Sequence, residues 1–215
     1  MIRYLRYPNY IRINGKPVLM VYRTDLFPDI RRTTEIWREH CRKEGIGDIY
    51  LVLMEAFESA QSAVAPAALG FDASVEFPPQ GVVHPIKPPA ILNSDFEGVV
   101  HDYREVALKY LQLTIPAYMR FRSVMPSWDN TPRRQNNSNV FEHAHPGAYQ
   151  AWLEAVLAET HEQNFGEERL VFVNAWNEWG EGNHLEPDKR YGHRFLEATR
   201  NAQDAWLLKR EQASS

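Results

Sequence analysis

Short apolar runs alternate with longer amphipathic segments along this chain, and that alternation leaves few architectures open. The runs are 18–22 (VLMVY), 49–54 (IYLVLM), 71–75 (FDASV), 121–124 (FRSV) and 170–173 (LVFV). Each is too short for a helix, and most are rich in branched or aromatic residues, so each reads as a strand. The segments between them carry helical spacing. Residues 33–43 put Ile36, Trp37, His40 and Cys41 on one face, with Gly45 just past the end as a cap. After Asp102, the residues Tyr103, Val106, Ala107, Tyr110 and Leu111 follow the i, i+3, i+4, i+7, i+8 pattern. A helix entered through Pro146 repeats it with Tyr149, Trp152, Leu153, Val156 and Leu157. A last helix is expected over 191–209 with Phe195, Thr199, Ala202 and Trp206 inward, and the polar tail 211–215 is expected to fray. Strands alternating with helices in this way specify an α/β fold built on a parallel sheet.

No internal repeat or composition break divides the 215 residues, and a 44% hydrophobic share supports a real core. A formal net charge of −4, with basic residues scattered, gives no footprint for nucleic acid or an anionic membrane. The first ten residues contain no continuous apolar stretch, and no run of about 18 apolar residues occurs, so neither a signal peptide nor a membrane span is expected. A cytoplasmic location follows by default. The single cysteine, Cys41, agrees with a reducing compartment and sits on a helical stripe, which reads as a packed core thiol.

Two long loops stand out. Residues 77–89 hold five prolines, and residues 125–139 (MPSWDNTPRRQNNSN) follow a strand directly. Polar loops at strand ends fit a TIM-barrel active face, where functional residues come from the loops after successive strands. The polar residues beyond the strands are Arg23 and Asp25, Glu55, Asp72 and Glu76, Trp128, Asp129 and Asn130, then Asn174, Asn177, Glu178 and Glu181. They are expected to converge at one end of the sheet.

The densest cluster is 174–187 (NAWNEWGEGNHLEP). Glu178 and Glu181 lie three positions apart, flanked by Trp176 and Trp179, with Gly180 and Gly182 freeing the backbone to turn. One reading is a catalytic pair, one carboxylic acid on a leaving oxygen and one carboxylate as base or nucleophile. Another is a solvated turn whose acids complement a helix dipole. Exposed tryptophans beside the acids favour chemistry on a sugar. Trp128, Trp176 and Trp179 offer flat faces for its C–H side, and Asn130, Asn174 and Asn177 offer partners for its hydroxyls. Asp129 and Asn130 equally fit a turn signal. His143, His145, His184 and Glu186 are ligand types without convincing metal spacing, so no metal is expected. There is no Gly-rich phosphate loop and no G-x-S-x-G elbow, and no cofactor is expected.

The run 174–187, followed by Tyr191, Gly192 and 195–198 (FLEA), resembles the C-terminal signature of WbsX-type proteins. These are bacterial polysaccharide-locus proteins related to glycoside hydrolase family 99. Residues 10–22 (YIRINGKPVLMVY), 70–77 (GFDASVEF) and 126–133 (PSWDNTPR) carry the same likeness, which spans nearly the whole chain. The resemblance implies a (β/α)8 barrel acting on mannose-type linkages in the hydrolase branch, and glycosyl transfer in O-antigen or capsule synthesis in the WbsX branch. Carried over by motif, Glu178 is the base toward a sugar 2-hydroxyl and Glu181 the general acid. Asp72 and Glu186 join the tryptophans, the asparagines and Asp129 as substrate-binding candidates.

The family's N-terminal motifs of the type Tyr-Leu-Pro-Gln-Phe-His have no counterpart here. Residues 1–210 are therefore expected to form the C-terminal part of a TIM barrel, with about five of eight strands and the N-terminal strands missing. Three readings stand together: an enzyme, or the active-site half of one completed by a separately encoded N-terminal half; a truncated, non-catalytic remnant; and a sugar-binding module. In each, the partner is an oligosaccharide or polysaccharide.

Overall fold

The computed structural model describes residues 1–56, 64–88 and 90–213. Its strands in chain order are β1 (Arg12–Ile13), β2 (Lys16–Val21), β3 (Tyr50–Glu55), β4 (Ala73–Glu76), β5 (Val99–Asp102), β6 (Arg120–Val124), β7 (Asn139–Glu142), β8 (Val171–Val173), β9 (Asn177–Glu178) and β10 (Asn183–His184). The helices are α1 (Ile2–Leu5), α2 (Ile30–Lys43), α3 (Tyr103–Leu111), α4 (Thr131–Arg134), α5 (Pro146–Gln163) and α6 (Arg194–Ala213). All five expected strands and all four expected helices are present. The last helix reaches Ala213, and Ser214 and Ser215 lie outside the described residues, as does Pro89 of the first proline-rich loop. Among the described residues no helix is long and apolar enough to cross a membrane.

The chain forms two compact units, each assembled from separate stretches of sequence: 1–81, 115–122 and 164–170 in the first, and 82–114, 123–163 and 171–215 in the second. In the first, β2, β3, β4 and the start of β6 run parallel, with β1 antiparallel on the edge at β2. The registers pair Val18 with Tyr50, Val52 with Ala73, and Val75 with Phe121. Leu51, Leu53, Val21, Phe71 and Cys41 form its apolar core. Burial pushes the Cys41 thiol pKa up, as expected of a packed core cysteine.

Two expectations fail in this unit, and both failures involve Arg38. Ile36 and His40 of α2 are exposed, and the inward positions are Thr34, Trp37, Arg38 and Cys41. The guanidinium of Arg38 donates to the Ile49 and Gly70 carbonyls and to the carboxylates of Asp48 and Asp72, so its many satisfied donors make an inward cation tolerable. Asp72 in turn precedes β4 instead of following a strand. Its Oδ2 also accepts from the Leu51 N–H at 2.7 Å. It is thus engaged at the opposite end of β4 from Glu76, which is buried and bridged to Arg122 at 3.0 Å.

The second unit packs α3, α5 and α6 around Trp152, Tyr103, Tyr149, Val156 and Phe195. Trp152 lies between Tyr103 and Tyr110, with ring centroids 5.8 and 5.5 Å away. The inward faces of α3 and α5 follow the predicted spacing. A parallel pair, β5 with β7, was not foreseen, because its apolar signal is only Val99–Val100 and Val140–Phe141. The Asn174 N–H donates to the Val124 carbonyl at 2.9 Å, setting the chain leaving β8 beside the end of β6.

Asp102 caps α3. Its Oδ1 accepts from the Arg104 N–H at 2.9 Å, and its Oδ2 pairs with the Arg104 guanidinium at 2.9 Å and His143 Nδ1 at 3.0 Å. The Arg104 guanidinium is the main reason the Asp102 carboxyl is held down at about 2. A depressed carboxyl stabilises the fold above its unfolded pKa and loses that contribution as pH falls through the folded one. Asp102→Ala should therefore cost about 1–2 kcal/mol at neutral pH. The gap to the parent protein should close as pH falls from the ordinary aspartate value of 3.8 toward 2, read by denaturant unfolding at several pH values.

Candidate active site

The chain leaves β8 through a cis Asn174–Ala175 peptide and enters the β9–β10 hairpin, whose register pairs Glu178 with Asn183 and Asn177 with His184. Glu178 ends β9, Trp179–Glu181 forms a single 3-10 turn, and Gly182 closes it in the left-handed region at φ 57°. The turn rests on the loop before α4. The Asp129 N–H donates to the Glu181 carbonyl at 2.8 Å, and Ser127 Oγ donates to the Gly182 carbonyl. The three-residue spacing thus places both carboxylates on one short turn, as the sequence pattern suggested.

Both carboxylates meet the same cation. Arg133 of α4 donates through Nη1 to Glu181 Oε1 at 2.7 Å and through Nη2 to Glu178 Oε2 at 3.4 Å. The side chain of Glu178 is 48% exposed, whereas that of Glu181 is 23% exposed. Burial pushes the Glu181 pKa up, and it outweighs the opposing influence of Arg133; the Glu178 charge adds to the rise, and Arg134 opposes it. One carboxylate is open to solvent, and the other has an elevated proton affinity. That asymmetry is what a base and an acid working together require.

The tryptophans divide. Trp176 and Trp179 are 52% and 47% exposed. Trp179 is held in place. Its ring stacks on His184 with centroids 3.7 Å apart and 23° between planes, and its Nε1–H donates to Glu186 Oε2 at 2.6 Å. His184 Nε2 lies 3.2 Å from Asp188 Oδ2. Glu186 therefore fixes a ring, a use its residue type did not reveal. Trp128 is buried in the core of the second unit and lines a cavity of about 380 Å³ together with Asp129, Phe141, Gly182, His184 and Tyr191. Neither Glu178 nor Glu181 lines that cavity.

Asp129 and Asn130 are turn residues. Asp129 Oδ1 accepts from the Thr131 N–H at 3.0 Å, and the buried Asn130 accepts from the Asn139 N–H at 2.7 Å. Asn177 is exposed on the hairpin, and Asn174 is half-buried at the end of β8. Asp72 belongs to the first unit and is committed to Arg38. In the sequence Arg133 is the last residue of the 126–133 likeness, and nothing local marks it as a partner of the two carboxylates. Among the described residues, no group of three or more His, Cys, Asp or Glu side chains is arranged to hold a metal ion.

Residues 1–199 match the family described as Glycosyltransferase WbsX. The chain belongs to the WbsX family. Two WxcX proteins from strains of Xanthomonas campestris pv. campestris, one of them strain B100, are each 41% identical to it over 202 residues. The match takes in 93% of this WbsX chain and 28% of each relative, so the chain spans little more than a quarter of their length. Among solved structures, a glycoside hydrolase-like protein superposes with a TM-score of 0.58 at 16% identity, covering 92% of this chain and 57% of its own. The family 99 endo-alpha-mannosidase from Bacteroides thetaiotaomicron superposes with a TM-score of 0.58 at 14% identity, covering all of this chain and 62% of its own. At those identities the likeness is one of fold. It makes this WbsX protein an α/β chain similar to the family 99 TIM-barrel proteins.

Proposed function

We propose that this WbsX protein breaks or transfers a glycosidic bond, with Glu178 as base and Glu181 as general acid. The observation that carries the reading is the β9–β10 turn itself: two carboxylates on one guanidinium, the more buried one with a raised proton affinity, beside two exposed tryptophans. A mannose-type sugar of a bacterial surface polysaccharide such as O-antigen is the proposed substrate. The proposed setting is the cytoplasm, with the remaining strands of an eight-stranded barrel supplied by sequence outside residues 1–215 or by a separate chain.

In this scheme Glu178 takes the proton of the sugar 2-hydroxyl while that oxygen attacks its own anomeric carbon. The bond to the leaving oxygen breaks, and the leaving oxygen keeps the electron pair and receives the Glu181 proton. An acceptor hydroxyl then attacks the anomeric carbon and gives its proton to Glu181. The bond to the 2-oxygen opens, and the 2-oxygen recovers its proton from Glu178. Water as acceptor gives hydrolysis, and a sugar hydroxyl gives transfer.

The test is incubation with α-mannose oligosaccharides and polysaccharides, with products read by mass spectrometry. Cleavage or transfer supports the reading, and binding without any product defeats it in favour of a sugar-binding module. The exposed tryptophans favour that second reading if chemistry is absent. In either case Trp179→Ala should weaken glycan binding by about tenfold, the order expected for one lost aromatic platform, measured by calorimetry.

A further inference from the structure

We propose that Arg133 is the positioning residue of the carboxylate pair: its guanidinium anchors Glu178 and Glu181 together over the hairpin turn and governs how readily Glu181 takes up the proton it must donate. The inference rests on the acid and base reading of those two residues and adds a role that neither carboxylate performs alone.

Three features of the turn support it. The guanidinium reaches both carboxylates through its two terminal nitrogens, at 2.7 Å to Glu181 and 3.4 Å to Glu178, so one side chain sets the position of both. Its backbone is tied down independently. The Arg133 N–H donates to the Asn130 carbonyl at 3.0 Å, Asn130 is locked to Asn139, and the Asp129 N–H holds the Glu181 carbonyl. The loop that delivers the cation therefore also holds the turn that carries the acids. Gly180 leaves the space the guanidinium fills, since a Cβ there would lie 3.0 Å from Nη2 and 3.3 Å from Nε.

The proton balance gives the arrangement its purpose. A carboxylate paired with a guanidinium resists protonation, and an acid catalyst needs its proton. Burial pushes Glu181 up and Arg133 pulls it back, so the acid is loaded only as far as the guanidinium allows. The other charges facing Glu181 are Arg134 on α4, which also favours ionisation, and Glu178 on β9, which opposes it. The Asp129 carboxylate is turned to the Thr131 N–H.

The test is a carboxyl-carbon NMR titration of Glu181 in protein labelled at glutamate, with the signal assigned by its loss in Glu181→Gln. Arg133→Met should move the Glu181 titration to higher pH, and Arg133→Lys, which keeps a cation, should move it less. Gly180→Ala displaces only the end of a flexible side chain and should shift it in the same direction as Arg133→Met; it serves if Arg133→Met does not fold. An unmoved titration in folded Arg133→Met, or in Gly180→Ala if Arg133→Met does not fold, overturns the inference. Where a glycan is turned over, the basic limb of kcat/KM should move with the titration, which a merely structural role for Arg133 would not produce. A shifted titration with no glycan turned over would sink the proposed function and leave Arg133's hold on Glu181 standing. Turnover with an unmoved titration would do the reverse.

Discussion

Glu181→Gln should lower kcat/KM for an unactivated glycoside by about 10²–10⁴-fold while sparing kcat/KM for substrates whose leaving group departs as a stable anion. The amide keeps the size of the carboxyl and an oxygen that can still accept from Arg133 Nη1, now 2.7 Å from Glu181 Oε1, so the turn should persist. What disappears is the proton. A poor leaving oxygen needs it, and a nitrophenolate-type group does not. Glu178→Gln should behave differently and slow both substrate classes, because either leaving group departs only as the attacking hydroxyl is deprotonated. The pH profile should separate the two residues again. Activity that needs protonated Glu181 falls as pH rises through its raised pKa, so the parent enzyme should show a basic limb with unactivated substrates, and Glu181→Gln should lack that limb with activated ones. Equal losses of kcat/KM on both substrate classes in Glu181→Gln would remove Glu181 from the acid role. Unchanged rates in both variants would remove the pair from catalysis.

Gly182→Val should be the most damaging single change near the site that removes no chemical group. Gly182 sits at φ 57°, where a branched residue is strained, and its Cβ would lie 2.8 Å from the Asp129 carbonyl oxygen and 3.0 Å from the Asp129 nitrogen. Those are backbone atoms of the loop that supports the turn, so they cannot step aside as a side-chain tip can. Strain and overlap together should cost about 2–4 kcal/mol and abolish activity through loss of the hairpin geometry. Gly192 is the control. It has the same φ of 57°, but nothing lies within 4 Å of where its Cβ would stand, so Gly192→Ala should show strain alone, about 1 kcal/mol. Denaturant unfolding of both variants reads the difference. Equal losses at the two positions would show that contact with Asp129 does not matter.

Much of the fold was legible because its signals are local. Three of the five strand runs, 18–22, 49–54 and 170–173, are continuous apolar stretches, and α3 and α5 bury the faces their spacing marks. The failures occurred where tertiary partners overrule local pattern. Arg38 turns inward because Asp48, Asp72 and two carbonyls satisfy it, which displaces Ile36 and His40 from the buried face. Strands β5 and β7 stabilise each other while carrying little apolar signal of their own. At the site, Glu178, Glu181, Trp176 and Trp179 could be found because they sit within a few positions of one another. Arg133 could not be assigned in the same way. It lies 48 positions from Glu181 and 45 from Glu178, and only the folded chain brings them together. Trp128 lies on a loop, as its neighbours suggest, but its burial could not be read from them: packing against the core of the second unit leaves its ring facing a cavity and not bulk solvent.

The interleaving of the two units constrains how the chain can be made and divided. The first unit includes residues 164–170 and the second includes residues 82–114 as well as the stretch 171–215. On the ribosome, the first unit cannot close until residue 170 has emerged, even though most of its sheet has been synthesised long before. Its early strands must wait with apolar surface uncovered, the situation in which chaperones hold nascent chains. Nor can either unit be cut out as one contiguous piece: a break at residue 114 or 163 would divide both. Of these two units, the hairpin bearing Glu178 and Glu181 is among the later parts to leave the exit tunnel, so the acidic turn emerges when only α6 of the described elements is still to come.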